Sequence, residues 1–93
     1  MKISYDEAKR RQTLEARGLD FRDVGRVFAG DCLTVEDDRR DYGERRFQTM
    51  GLLDSVVVMV VWTPRDAGRR VISMRKCNAP ERDFYLAELG RSR

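Results

Sequence analysis

The sequence predicts an α+β fold, with helices packed against an antiparallel sheet of four to five strands. Three observations carry that prediction. Apolar residues recur at helical spacing early in the chain, at Phe21, Val24, Val27 and Phe28. From Cys32 onward the pattern changes to short apolar or alternating runs separated by turn residues. A capped helical segment then opens at Asn78. Consecutive strands joined by so few residues run antiparallel, since a parallel crossover needs roughly a dozen residues.

Each element has its own justification. Lys2 to Ser4 forms a short first strand. Ser4 and Glu7 have capping-box spacing and predict a helix over residues 6–16, stopped by Gly18. Its apolar residues are sparse (Ala8, Leu14, Ala16), which places it on the surface. A second helix starts near Asp20, buries the Phe21–Phe28 stripe and ends at Gly30. Cys32, Leu33 and Val35 predict a strand. A charged loop to Gly43 follows, in which Glu36, Asp37, Asp38, Asp41 and Glu44 interleave with Arg39, Arg40, Arg45 and Arg46; it reads as a solvated polar segment.

Arg46 to Leu53 is the next strand, and Asp54-Ser55 turns the chain into Val56–Thr63. There Val56, Val58, Val60 and Trp62 alternate with Val57, Met59 and Val61, so this strand is covered on both sides. Pro64 to Gly68 makes a turn into the last strand, Arg69 to Lys76. Alternation assigns Arg69, Val71, Ser73 and Arg75 to one face, and Arg70, Ile72, Met74 and Lys76 to the other. Asn78 is the N-cap of a third helix, with Pro80 in its first turn and Glu81 at the reciprocal capping position. This helix runs to Leu89 and stops at Gly90, leaving Arg91 to Arg93 as a frayed tail.

Composition narrows the function classes. The 93 residues make one domain, 1–93. Charged residues are 38% and hydrophobic ones 41% of the chain, as in a folded, heavily charged protein. The net charge of +3 is uneven: residues 1–63 balance to −1, and residues 64–93 to +4. The apolar run Val56 to Trp62 is too short to cross a bilayer, and no apolar signal core follows Lys2, so a cytoplasmic location is expected. Cys32 and Cys77 make no disulfide framework. Histidine is absent, which excludes histidine triads, imidazole zinc sites and a histidine general base. No glycine-rich phosphate loop is present, and neither a metal nor a cofactor is expected.

The chemistry concentrates in Arg69-Arg70-Val71-Ile72-Ser73-Met74-Arg75-Lys76. Four cations at the two ends of one strand, running into a helix N-terminus, make an anion site from side chains and free amides. The alternative is an edge strand guarded by charge against aggregation.

Tyr5-Asp6-Glu7-Ala8-Lys9, Gly18-Leu19-Asp20-Phe21, Val27-Phe28, Gly43-Glu44-Arg45-Arg46-Phe47, Gly51 and Arg70-Val71-Ile72-Ser73-Met74-Arg75-Lys76, with Glu81-Arg82 and Tyr85, together resemble the BrnT family. These are the toxin halves of bacterial type II toxin–antitoxin pairs. The resemblance runs in order along nearly the whole chain. It implies a RelE-like fold, metal-independent ribonuclease activity and neutralisation by a BrnA-type antitoxin. It also implies a toxin homodimer within a toxin–antitoxin heterotetramer that represses its own operon, touching operator DNA only through the antitoxin. Many members carry Lys-His-Gly before the second helix, where this chain has Ala16-Arg17-Gly18. A proton-transfer role for that histidine has no counterpart here; a capping or phosphate-contacting role would pass to Arg17.

Cleaving RNA without a metal requires removal of the 2′-hydroxyl proton, stabilisation of charge on the phosphorane and protonation of the leaving 5′ oxygen. The resemblance points to Arg46, Arg70, Arg75 and Lys76 for phosphate contact, with Ser73 as a hydrogen-bond donor. Glu44 and Glu81 are the candidate bases and Lys76 a third, although Glu81 is also explained by capping alone. Arg45, Arg69 and Arg82 extend the basic surface offered to RNA. Trp62 and Tyr85 are candidate base-stacking groups that equally suit core positions. The rival class is a non-catalytic RNA-binding or antitoxin-binding module.

Overall fold

The structure, a computed structural model, describes residues 2–91. Its elements are β1 (Ile3–Ser4), α1 (Glu7–Arg17), a 3₁₀ turn (Phe21–Asp23) leading into α2 (Val24–Ala29), β2 (Leu33–Glu36), β3 (Phe47–Leu53), β4 (Val56–Arg65), β5 (Gly68–Lys76) and α3 (Ala79–Arg91). The strands form one sheet in the order β1-β5-β4-β3-β2. Strands β2 to β5 are the expected antiparallel meander. Strand β1 joins the far edge parallel to β5, pairing Ile3 with Arg69 and Ser4 with Arg70, so the five-stranded sheet is mixed. No hairpin ties β1 to its neighbour, and the intervening chain is long enough for a parallel crossover. A Cβ at Gly68 would overlap the backbone of Lys2, whose carbonyl accepts the Arg69 N–H at 2.9 Å. This glycine therefore permits close approach of β1.

Local chemistry sets the element ends. Asp6, not Ser4, caps α1: its carboxylate accepts from the N–H groups of Ala8 at 2.8 Å and Lys9 at 3.2 Å. Gly18 closes the helix in the left-handed conformation, φ 68°, as expected. Asp54-Ser55 and Asp66-Ala67 all have positive φ, the backbone of two-residue hairpins. The second hairpin is tighter than expected, because Pro64 and Arg65 continue β4. Strand β3 begins opposite Trp62, so beyond that point β4 pairs only with β5, and the missing proline N–H is tolerated. At α3 the capping box is present: Glu81 N–H donates to Asn78 Oδ1, and Asn78 N–H to Glu81 Oε1, both at 2.9 Å. The helix passes through Gly90 to Arg91, and Ser92 and Arg93 of the expected tail lie outside the described residues.

The sheet is covered on both faces, as the valine-rich β4 required. On one face Val58, Val60, Trp62, Leu53, Val71 and Met74 pack with Leu19, Phe21, Val24 and Val27. On the other, Met50, Val57 and Met59 pack with Cys77 and the fully buried Tyr85 of α3. The predicted alternation of β5 does not hold. A bulge opposite Val61–Trp62 pairs Val61 with Ser73 but Trp62 with Val71, and Ile72 becomes the extra residue. Val71 and Met74 thereby both point into the first core, and Arg70, Ser73 and Arg75 share the opposite face.

Candidate nucleic-acid interface

Strand pairing arranges the α3-bearing face in rows. One row runs Leu33–Met50–Met59–Arg75, the next Val35–Gln48–Val61–Ser73, and the next includes Thr63–Arg70. Rows on one face lie about 7 Å apart, two residues of strand rise. The last row extends to the β2–β3 loop, where Asp37 N–H donates to the Arg46 carbonyl at 2.8 Å and continues the ladder. Arg46, Arg70, Ser73 and Arg75 thus lie on one face, with Glu81 of α3 beside Arg75.

These groups differ in their bonding. Arg75 donates from Nη1 and Nη2 to the two Glu81 carboxylate oxygens, each at 2.7 Å. Those bonds hold the Glu81 carboxyl at about 2, against the opposing effect of burial, and the Asn78 N–H adds to the lowering. They also raise the Arg75 guanidinium above its ordinary value. Arg46 is held by Glu44 at 3.2 Å, lies 4.2 Å above the Tyr42 ring, and shares Glu44 with Arg65 at 3.5 Å. Arg70 is half-buried and carries no side-chain hydrogen bond or ion pair within the described residues. A groove of about 350 Å³ lies on this face, floored by Gln48, Met50 and Met59 and walled by Val35, Pro80, Glu81 and the half-exposed Phe84.

Other expected site residues lie elsewhere. Lys76 pairs with Val58 and so belongs to the opposite face, where it lines a cavity with Asp20, Asp23 and Asp54. Arg45 pairs with Glu36 at 3.0 Å and lies over Phe47. Arg69 stacks on Phe28 at 3.9 Å and on Trp62 at 4.9 Å, also on the opposite face. Trp62 does not offer a stacking surface: it packs between Phe28 and Phe47 and donates Nε1–H to Thr49 at 2.8 Å. Tyr85 is likewise a core residue, its hydroxyl bonded to the Asp31 carbonyl. Both large rings gain more from burial beside a two-faced strand than the solvated alternative allows. Arg82 is exposed on the first turn of α3.

Arg17, where the resemblance leads one to expect a histidine, donates to the Met74 carbonyl at 2.8 Å and lines a cavity with Lys9 and Ser73. It ties the end of α1 to β5. Sequence reasoning passed over Asp37, which is no solvated loop acid. Arg39 bonds and the Tyr42 hydroxyl hold its carboxyl at about 2. An acid two residues past an alternating strand, followed by arginine and tyrosine, was the available signal.

No curated protein matches this chain. The family model for the ribonuclease toxin BrnT of type II toxin–antitoxin systems matches residues 5–81. With that span covering most of its length, from before α1 to the start of α3, the chain belongs to the BrnT family of ribonuclease toxins.

Proposed function

We propose that this toxin cuts RNA without a metal, using the α3-bearing face of the sheet, with 1–93 acting as one toxin domain. The observation that carries this reading is the grouping of Arg46, Arg70, Ser73 and Arg75 on one face of the sheet. The guanidinium forks suit a pentavalent phosphate, whose equatorial oxygens gain negative charge as the 2′ oxygen attacks. Arg70, with no carboxylate partner among the described residues, contributes its donors; Arg75 is oriented by Glu81; Ser73 donates a hydrogen bond between them. A carboxyl held at about 2 is a weak proton acceptor, so Glu81 serves as the orienting group for Arg75. That leaves Glu44, beside Arg46, as the carboxylate for the 2′-hydroxyl proton. Lys76 has no part in this scheme.

As a member of a type II toxin family, the chain has an antitoxin partner and RNA as its substrate. Among the described residues no helix is long and apolar enough to cross a membrane. The finer reading is a cytoplasmic toxin neutralised by a BrnA-type antitoxin, in a heterotetramer built on a toxin homodimer, with operator DNA bound through the antitoxin. The two N-terminal helices, the meander and the C-terminal helix support a RelE-like description of the fold.

Incubating the purified protein with RNA in EDTA tests the chemistry. Cleavage is expected; binding without cleavage would favour the non-catalytic module. In bacteria, expression is expected to arrest growth and the cognate antitoxin to relieve it, while Arg75→Ala is expected to abolish arrest and still bind the antitoxin. Undiminished toxicity of that variant would remove Arg75 from the site.

A further inference from the structure

The loop between β2 and β3 carries a cation that is aimed as deliberately as Arg75. The Asp37 carboxylate is 1% exposed and accepts from Arg39 Nε at 2.7 Å, Arg39 Nη2 at 2.8 Å and the Tyr42 hydroxyl at 3.2 Å. Its N–H continues the β2–β3 ladder, which sets it one rung beyond Val35 and Gln48 of the groove. Arg39 itself is 67% exposed. A free surface arginine samples many rotamers, whereas two charge-assisted bonds to a buried acid hold this fork in one orientation. The charge so placed acts on Arg75 and Glu81 together, opposing the rise of the first and deepening the fall of the second.

Two guanidinium groups, each oriented by its own carboxylate on the groove-bearing side of the sheet, present two fixed forks to an extended polyanion. We infer that Arg39 is a phosphate-contacting residue of the RNA site, acting with Arg75 on the RNA backbone, and that Asp37 is the positioning residue that aims it. This deepens, and rests on, the ribonuclease reading above.

The test pairs two measurements. A 2′-O-methyl oligoribonucleotide, which has no nucleophile and cannot be cut, reports binding by fluorescence anisotropy across a salt series; the unmodified strand reports cleavage. Arg39→Ala is expected to bind about tenfold more weakly, with a salt slope smaller by about 0.7, the value of one lost single-strand phosphate contact. Asp37→Asn makes the protein more positive, yet is expected to bind more weakly because the fork is no longer held. Arg11→Ala, which removes a 72% exposed cation from α1, controls for net charge and stays within about twofold of the unmodified protein.

Circular dichroism establishes folding, and the exposed Arg39 variant decides the matter if Asp37→Asn unfolds. Cleavage with Arg39→Ala matching Arg11→Ala in both assays overturns the clamp and leaves the ribonuclease reading standing. Weakened binding by Arg39→Ala, with no cleavage by the unmodified protein, supports the clamp and overturns the ribonuclease reading. Tighter binding by folded Asp37→Asn overturns the positioning role.

Discussion

Replacing Glu81 with Gln isolates a charge that joins α3 to the sheet. The carboxylate takes two 2.7 Å bonds from Arg75 and one of 2.9 Å from the Asn78 N–H. Gln preserves the shape and one acceptor but not the charge. The Arg75 hydrogen bonds are the largest cause of the fall of this carboxyl from 4.5 to about 2. By linkage, such a depression stabilises the folded protein by at most about 3 kcal/mol. A quarter of the Glu81 side chain and 37% of the Arg75 side chain remain exposed, and screening reduces this to about 1–2 kcal/mol.

Because the folded-state value lies below the unfolded one, the contribution is complete above about pH 4.5 and is lost as the pH falls towards 2. Glu81→Gln should therefore be about 1–2 kcal/mol less stable at pH 7, equivalent to about 5–15 °C in Tm for a chain of this length. The difference should shrink to about half by pH 3. Urea unfolding followed by circular dichroism at pH 7, 5 and 3 measures it. An equal gap at pH 7 and pH 3 would show that charge is not what Glu81 contributes, and would refute the reasoning.

Two further substitutions probe the sheet. Gly68→Ala should cost about 1–3 kcal/mol in thermal unfolding, because the added Cβ overlaps the Lys2 backbone and pushes β1 off the edge; an unchanged Tm would mean that β1 does not depend on that approach. Arg70→Ala removes a cation with no side-chain partner among the described residues, so stability should stay within about 0.5 kcal/mol while RNA cleavage falls about a hundredfold. A large loss of stability with normal cleavage would make Arg70 structural.

The helices, hairpins and cores were legible because each rests on short-range physics. The Phe21–Val24–Val27 stripe has to be buried, and Asp54-Ser55 has to turn between two apolar runs. Asn78 and Glu81 cap each other across three residues. Nearest-neighbour choices were less secure: Asp6 outcompetes Ser4 as a cap because its carboxylate reaches two N–H groups at once. The parallel edge strand was not legible, since β1 finds its partner across more than sixty intervening residues of chain by backbone bonding that leaves no side-chain pattern.

For the candidate site, the sequence by itself supplied the candidates: arginines clustered around the last strand, no histidine, and a family pattern from Tyr5 to Tyr85. Only the tertiary structure decided which of them share a face. One bulged residue, Ile72, reverses the alternation of β5 and puts Arg70, Ser73 and Arg75 on a single face, with Lys76 on the other. Tertiary packing elsewhere buries Trp62 and Tyr85, and it turns Asp37 from a solvated loop acid into the anchor of Arg39. Side-chain direction in a strand depends on register, and register is settled by pairing between distant segments, so a one-residue slip invisible in composition decides which charges meet.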